Sequence, residues 1–330
     1  MSAAAAPTKE APSDHTSVAD ADGRFRRQES SFRSYISCEP GARFPPEKDR
    51  YVLYINLGCP WAARANAVRT LKGLDSLIQL VVMSYELTPE GWIYTGYPGT
   101  ASCDPLYGFT KHRDLYFKAD PDYKGRYTVP VLWDRKEETI VNNESSEIIR
   151  MFYSAFDGLL SEKFRESARP GGGMLPAHLK GEIEAFNEWV YHDINNGVYK
   201  TGFATAQDAY EENLEVLFQA LGKVERHLAD GRRFLFGDHV TDADVRLFTT
   251  VVRFDAAYYT LFRCNLGMIR TDFPNMHGWL RRVYWDDTEE TRGAFRTTTD
   301  FDHIKRGYAR ASKSPVVPKG PVPDILPLDG

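Results

Sequence analysis

The chain has 330 residues, of which 42% are hydrophobic and 26% charged, and it carries a net charge of −5 at neutral pH. That is the composition of a soluble globular protein with room for about two domains; the acidic balance and the lack of a membrane-length apolar run argue against nucleic acid or membrane as main partner. Four cysteines, at positions 38, 59, 103 and 264, are too few and too scattered for a disulfide scaffold, so a reducing compartment is expected, with the cytoplasm as the default.

Met1 to about Asp22 is Ala-rich with scattered Ser, Pro and Asp, unlike a secretory signal, and reads as a disordered lead over residues 1–22. Gly23 to Asp49 is basic and aromatic, with Phe25, Arg26, Arg27, Phe32 and Arg33, and leads into a first strand over Tyr51–Leu57. Gly58 supplies a turn, Pro60 suits the first helical position, and Ala62, Ala65, Val68 and Leu71 recur at helical spacing. Cys59 therefore caps a helix. Its sulfur faces unpaired N–H groups and the positive end of the helix dipole, where a thiol pKa can fall to roughly 3.5–7.5 and leave a nucleophilic thiolate. A buried, inert cysteine is the plainer alternative. The fourth position of Cys59-Pro60-Trp61-Ala62 holds no second thiol, so an external thiol must release any mixed disulfide, and glutathione is the abundant candidate.

A second strand, Leu77–Met83, completes a β-α-β unit. Thr88 to Tyr127 is rich in Gly, Pro, Asp and Tyr and reads as a long irregular insertion, functional rather than disordered because of Trp92, Tyr94, Tyr97 and Tyr107. A third strand over Thr128–Trp133, a charged turn, a fourth strand over Thr139–Val141 and a helix opening at Asn142–Ser146 follow. The order β-α-β, β-β-α matches a thioredoxin-like domain, placed over residues 23–165. In that fold the proline of the Val129-Pro130 pair is cis and lies against the tip of the catalytic helix.

Pro170-Gly171-Gly172-Gly173 closes the linker to the second half; lacking a Gly-Lys-Ser/Thr sequel, it is no phosphate loop. Leu179, Ile183, Phe186, Val190 and Ile194 form one helical stripe, expected to halt at Asn195-Asn196-Gly197, and Tyr210 to Leu228 carries another. Thr241 and Asp244 form a capping-box pattern flanked by Val240 and Val245, a structural pair that starts a helix over Val245–Val252. A further helix is expected over Met276–Tyr284. Residues 166–311 thus form an all-helical domain, and residues 312–330, with five prolines, an extended tail.

A thioredoxin-like half followed by an all-helical half is the architecture of glutathione transferases: an α/β N-terminal domain with a mixed four-stranded sheet and an all-α C-terminal domain. Gly58–Ala62, Gly125–Asp134, Asn143–Arg150, Asn195–Ala204, Val252–Asp255 and His303–Tyr308 together resemble the xi class, the glutathionyl-hydroquinone reductases. The resemblance runs from about Phe25 to Lys319. Ala63 departs from it, standing where that class usually has His.

The resemblance implies a glutathione site. Val129 would pair its backbone with the cysteinyl unit as an added strand does. Glu144 and Ser145, at a helix start, would hold the γ-glutamyl ammonium and carboxylate. Trp92 and Arg126 would cover the other side, Arg126 meeting the glycyl carboxylate; without the resemblance Arg126 is as simply a solvated charge. Tyr199, Tyr258 and Tyr308 would grip a hydroquinone, with Tyr259 able to exchange roles with Tyr258; any one of them alone is more simply a core residue. Pro60 and Pro130 are structural, as are Thr241 and Asp244.

The expected reaction is glutathione-dependent reduction of S-glutathionyl-hydroquinones through a Cys59–glutathione mixed disulfide, with glutathione as co-substrate and neither metal nor nucleotide. Two alternatives remain at this point: a broader omega-type thioltransferase or dehydroascorbate reductase, and a non-catalytic carrier of aromatic ligands. A homodimer is expected by analogy with the fold.

Overall fold

The structure is a computed structural model and describes residues 19–20, 22–323 and 325–327. Most of the lead expected over 1–22 lies outside the described residues. Of its described residues, Ala19 bridges to Phe25, and Asp20 and Asp22 pair with Arg26.

Four strands make one sheet in the order β2-β1-β5-β6: β1 Tyr51–Asn56, β2 Ile78–Met83, β5 Val131–Asp134 and β6 Thr139–Asn142. β1 runs parallel to β2 and antiparallel to β5, and β5 pairs antiparallel with β6. Every residue of β1 is buried, which is why its sequence is a continuous apolar run rather than an alternation. Helix α1, Pro60–Leu71, connects β1 to β2, and α3, Ser145–Ser154, follows β6. The third strand begins at Val131, later than expected, because Thr128 to Pro130 runs ahead of the sheet with a cis Val129–Pro130 bond, and Pro130 has no N–H to lend a ladder.

The insertion over 88–127 is more regular than its composition implied. It holds a hairpin, β3 Leu87–Thr88 with β4 Gly91–Trp92, and a short helix α2, Arg113–Ala119, that buries Leu115 and Tyr116. Gly91 makes the hairpin turn possible at φ +93°, and a Cβ there would lie 3.1 Å from the Tyr127 ring.

The second half is helical: α4 Lys180–Val190, α5 Gly197–Gly202, α6 Gln207–His227, α7 Asp242–Arg253, α8 Tyr259–Leu261, α9 Ile269–Asp272, α10 Pro274–Trp285, α11 Ala294–Thr297 and α12 Phe301–Ala311. The expected halt at Asn195-Asn196-Gly197 does not occur. The chain widens into a π turn over Tyr191–Asn195 and resumes at once as α5. Asn195, a helix breaker by propensity, is bonded from both sides: its Nδ2 donates to Thr250 Oγ1 at 2.8 Å and its Oδ1 accepts from Arg64 at 2.7 Å.

Helix α7 starts three residues earlier than expected, at Asp242, because the Thr241–Asp244 box lies at its very start. Thr241 donates its N–H and its hydroxyl to Asp244 Oδ2, at 2.9 and 2.8 Å, and Asp244 also accepts from Leu235 N–H and Trp279 Nε1. The described residues of the tail run without helix or strand and are pinned to the helical half by Arg270, Trp285 and Lys305, which donate to Val322, Ile325 and Lys319 carbonyls. Among the described residues no helix is long and apolar enough to cross a membrane.

Candidate active site

Cys59 sits at the N-cap of α1 with extended backbone (φ −76°, ψ 121°), and Pro60 takes the first helical turn. The turn that delivers it is held from three directions. Asn56 Oδ1 accepts the Gly58 N–H at 2.8 Å, while Asn56 Nδ2 donates to the Ser84 carbonyl at 2.5 Å. Arg253, buried in the helical half, donates to the Gly58 and Leu57 carbonyls at 3.0 Å each and to Thr249 O at 2.7 Å. Gly58 is required by space: a Cβ would lie 3.1 Å from the His303 carbonyl.

The Cys59 sulfur lies 3.7 Å from the Val129 carbonyl, directly beside the cis bond. Burial pushes its thiol above the ordinary cysteine range, outweighing the pull of the Ala62 N–H, the charges of Arg27 and Arg253, and the Trp61 N–H. This corrects the expectation of a thiolate at neutrality. The cap position supplies the amides that were expected, but the sulfur is half-buried in an apolar cleft, and desolvation of the anion costs more than they return.

That cleft, with the open solvent at its mouth included, encloses about 890 Å³, and its lining includes Cys59, Trp92, Arg126, Val129, Tyr199 and Tyr308. Thus six of the residues singled out from the sequence share one cavity. Glu144 caps α3, its carboxylate accepting the Ser146 N–H at 3.0 Å and the Ser30 hydroxyl at 3.1 Å. Burial raises the Glu144 pKa, but the Ser146 N–H, Arg27, the Ser146 hydroxyl and Arg64 carry it below the usual carboxylate value, so it is an anion. Ser145 is buried, and among the described residues its Oγ has no hydrogen-bond partner. Neither Glu144 nor Ser145 is among the residues that line the cleft.

The tyrosines divide. Tyr199 and Tyr308 line the cleft and bond each other, hydroxyl to hydroxyl, at 2.6 Å. Tyr258 is fully buried behind Tyr308, bonded to its hydroxyl at 2.8 Å, and does not line the cleft. Tyr258, expected to grip the substrate, thus stands behind Tyr308 at the end of the π turn over Phe254–Tyr258, and Tyr259, the alternative, is half-buried. Burial raises all three phenols, so they remain neutral hydrogen-bond donors through the physiological range.

The family model described as glutathione S-transferase, N-terminal domain, matches residues 58–155, and that of the C-terminal domain matches residues 207–282. Glutathione S-transferase omega-like 2 of Schizosaccharomyces pombe is 46% identical over 309 residues, spanning 92% of this chain and 95% of the relative. The crystal structure of the glutathione S-transferase Xi from Phanerochaete chrysosporium aligns with a TM-score of 0.87 at 45% identity, covering 95% of this chain and 99% of that one. The chain belongs to the xi class of glutathione transferases. The glutathionyl-hydroquinone reductase YqjG of Escherichia coli is 42% identical over 88% of the transferase and 86% of its own length. The glutathione-bound structure of YqjG matches with a TM-score of 0.81 at 40% identity, over 93% and 96% of the two chains. The transferase is accordingly a glutathione-dependent enzyme.

Four residues of the transferase's site were not singled out from the sequence. Phe25 lines the cleft with its ring centroid 6.1 Å from that of Tyr199 and 5.6 Å from Phe203, which also lines it. Arg27 lies 4.1 Å over the Trp61 ring, which Arg64 also approaches at 4.6 Å. Arg253 is the clamp described above. The basic, aromatic character of residues 23–33 was visible, but nothing in it signals a return over a cysteine more than twenty residues away. Ala63, where the class usually has His, is buried on α1 and away from the cleft lining.

Proposed function

We propose that the transferase reduces S-glutathionyl-hydroquinones to hydroquinones, with Cys59 as nucleophile. The observation that carries this reading is one cleft lined by Cys59 together with Tyr199 and Tyr308, whose hydroxyls bond each other, with Tyr258 completing the chain of phenols behind. A plain thioltransferase has no need of such a cluster. The name of YqjG supports the same reading; the omega-like name of the S. pombe relative supports the broader thioltransferase alternative.

In this reading Glu144, Ser145, Val129, Arg126 and Trp92 hold the glutathionyl unit. As substrate enters, Cys59 gives its proton to solvent, with the Ala62 and Trp61 amides and the charges of Arg27 and Arg253 favouring the developing anion. The thiolate attacks the glutathionyl sulfur. A sulfur–sulfur bond forms, the carbon–sulfur bond breaks, and its electron pair leaves on the ring carbon, which takes a proton. Tyr199 and Tyr308 donate hydrogen bonds to the quinol oxygens as charge enters the ring. A second glutathione thiol then attacks the Cys59–glutathione disulfide, releasing glutathione disulfide and restoring Cys59. The two sulfurs are oxidised by two electrons and the ring carbon is reduced by two. We further propose that the enzyme acts in a reducing, cytoplasmic setting and as a homodimer.

Steady-state turnover of glutathionyl-menadiol tests the proposal. One glutathione disulfide per menadiol is expected, with no turnover in Cys59→Ser and a glutathione-sized mass adduct on Cys59 when the second glutathione is withheld. Tyr199→Phe/Tyr308→Phe should lower kcat by about 10²-fold or more. Undiminished turnover in the double variant would transfer the assignment to the thioltransferase or dehydroascorbate reductase reading, and an unmodified Cys59 would leave only a carrier.

A further inference from the structure

The quinol side of the cleft does not end at the tyrosines. Tyr199 on α5 is followed four residues later by Phe203, and Tyr308 on α12 three residues later by Ala311, each about one turn further along and on the same side of its helix. Phe203 and Ala311 line both the cleft and a second cavity beyond it, which encloses about 1280 Å³ with the open solvent at its mouth included. The two spaces thus share a wall about 5 Å along the helices from the tyrosines.

The character of the lining changes across that wall. On the cleft side it is aromatic, with Phe25, Trp61 and Tyr199. Beyond it stand the hydroxyls of Thr205, Thr260 and Ser312 and two cations, Arg263 and Lys313. Arg263 is held in place by neutral partners, which fix its guanidinium without cancelling its charge: Nη2 donates to the Gly202 carbonyl at 2.9 Å, and the Tyr210 ring centroid lies 5.6 Å away. A Cβ on Gly202 would collide with the Phe262 ring, so bare backbone meets Arg263 there. Lys313 follows the end of α12, where the Tyr308, Ala309 and Arg310 carbonyls already accept the N–H groups of residues 312–314. Among the described residues neither cation makes an ion pair. The one acid among the lining residues, Asp20, is paired with Arg26 at 2.6 Å.

A cationic, hydroxyl-lined pocket joined to an aromatic one suits a chain that leaves a ring and ends in a carboxylate. We propose that the second cavity selects the quinol: a ring substituent runs past Phe203 and Ala311, and its terminal carboxylate pairs with Lys313 and Arg263. The preferred substrates are then S-glutathionyl-hydroquinones that bear a short carboxyalkyl chain. The inference deepens the proposed function and rests on its placing of the quinol at Tyr199 and Tyr308.

Steady-state kinetics of the full chain test it with three substrates: glutathionyl-menadiol, the glutathionyl adduct of 3-(2,5-dihydroxyphenyl)propanoate, and that of the corresponding propanamide. The acid should show kcat/KM about three- to tenfold above the amide, carried by KM, as partly exposed charge pairs allow. Arg263→Gln should bring that ratio close to one and Lys313→Glu should invert it; a ratio of two substrates on one variant is insensitive to loss of folded protein. Thr260→Trp, which fills the second cavity, should raise KM for acid and amide relative to menadiol. An acid-to-amide ratio near one in the unsubstituted protein, a ratio that survives both charge variants within twofold, or a Thr260→Trp enzyme that treats all three substrates as before overturns the inference. Turnover of glutathionyl-menadiol in those cases leaves the hydroquinone reading standing; no turnover of any of the three in the unsubstituted protein overturns both.

Discussion

Cys59 shows how two influences of opposite sign compete at one atom. Helix-tip amides and two guanidiniums favour the anion, burial in an apolar cleft opposes it, and burial prevails when the cleft holds solvent alone. The consequence is a sulfur that is mostly protonated at neutral pH. Its alkylation by iodoacetamide in the free protein should therefore keep rising with pH beyond 9, because the thiolate fraction grows through the raised pKa. A rate that levels off below pH 7 would mean that the amides dominate. The phenols follow the same logic with a useful result: burial that keeps Tyr199 and Tyr308 neutral is what preserves them as donors.

At the scale of elements, the insertion is best understood through what it holds in place. His112, immediately before α2, approaches the Thr128 carbonyl with its Nε2 at 3.2 Å, and Tyr116 on α2 donates to the same carbonyl at 2.9 Å. Together they fix the residue that precedes Val129, and so the edge against which a cysteinyl backbone would pair. His112 is fully buried, and that burial lowers its pKa to about 4 from 6.5. The folded state therefore keeps it neutral while the unfolded chain begins to bind a proton below pH 6.5. Stability is fully present above that value and is lost as pH falls toward 4, by about 3 kcal/mol. Urea unfolding at pH 7 and pH 4.5 should show a smaller acid loss for His112→Gln than for the unsubstituted chain; equal losses would place the acid sensitivity elsewhere.

At the scale of the whole molecule, the two halves meet through α1 and α7, and the contact is polar where it touches the site. Arg64 on α1 donates to Asn195, Tyr153 on α3 donates to Asp242 at 2.8 Å, and Arg253 at the end of α7 reaches the turn beneath Cys59. Each of the three guanidinium nitrogens of Arg253 donates to a backbone carbonyl. Lysine at that position keeps the charge and loses the fork. Arg253→Lys should lower the unfolding free energy by about 2 kcal/mol through unpaired carbonyls and cut turnover of glutathionyl-menadiol, since the cysteine turn loosens with it. Unchanged turnover in a destabilised variant would separate the clamp from catalysis.

Local order along the chain was enough to determine the β-α-β, β-β-α half, the helical half, the cap position of Cys59 and the capping box of Thr241 and Asp244. Each depends on periodicity, on a proline or glycine at a defined offset, or on a side chain reaching its own backbone, and such interactions close over a few residues. The gathering of Val129, Tyr199 and Tyr308 about Cys59 agrees with motifs whose spacing alone could not have brought them together. Tertiary structure alone decided the rest: that Asn195 is held within a continuing helix, that Tyr258 stands behind Tyr308, that Arg253 clamps the cysteine turn, and that Arg27 returns over Trp61. It also decided the sign of the Cys59 shift. Desolvation and long-range pairing are set by neighbours far away in sequence, and no local pattern records their distance or their burial.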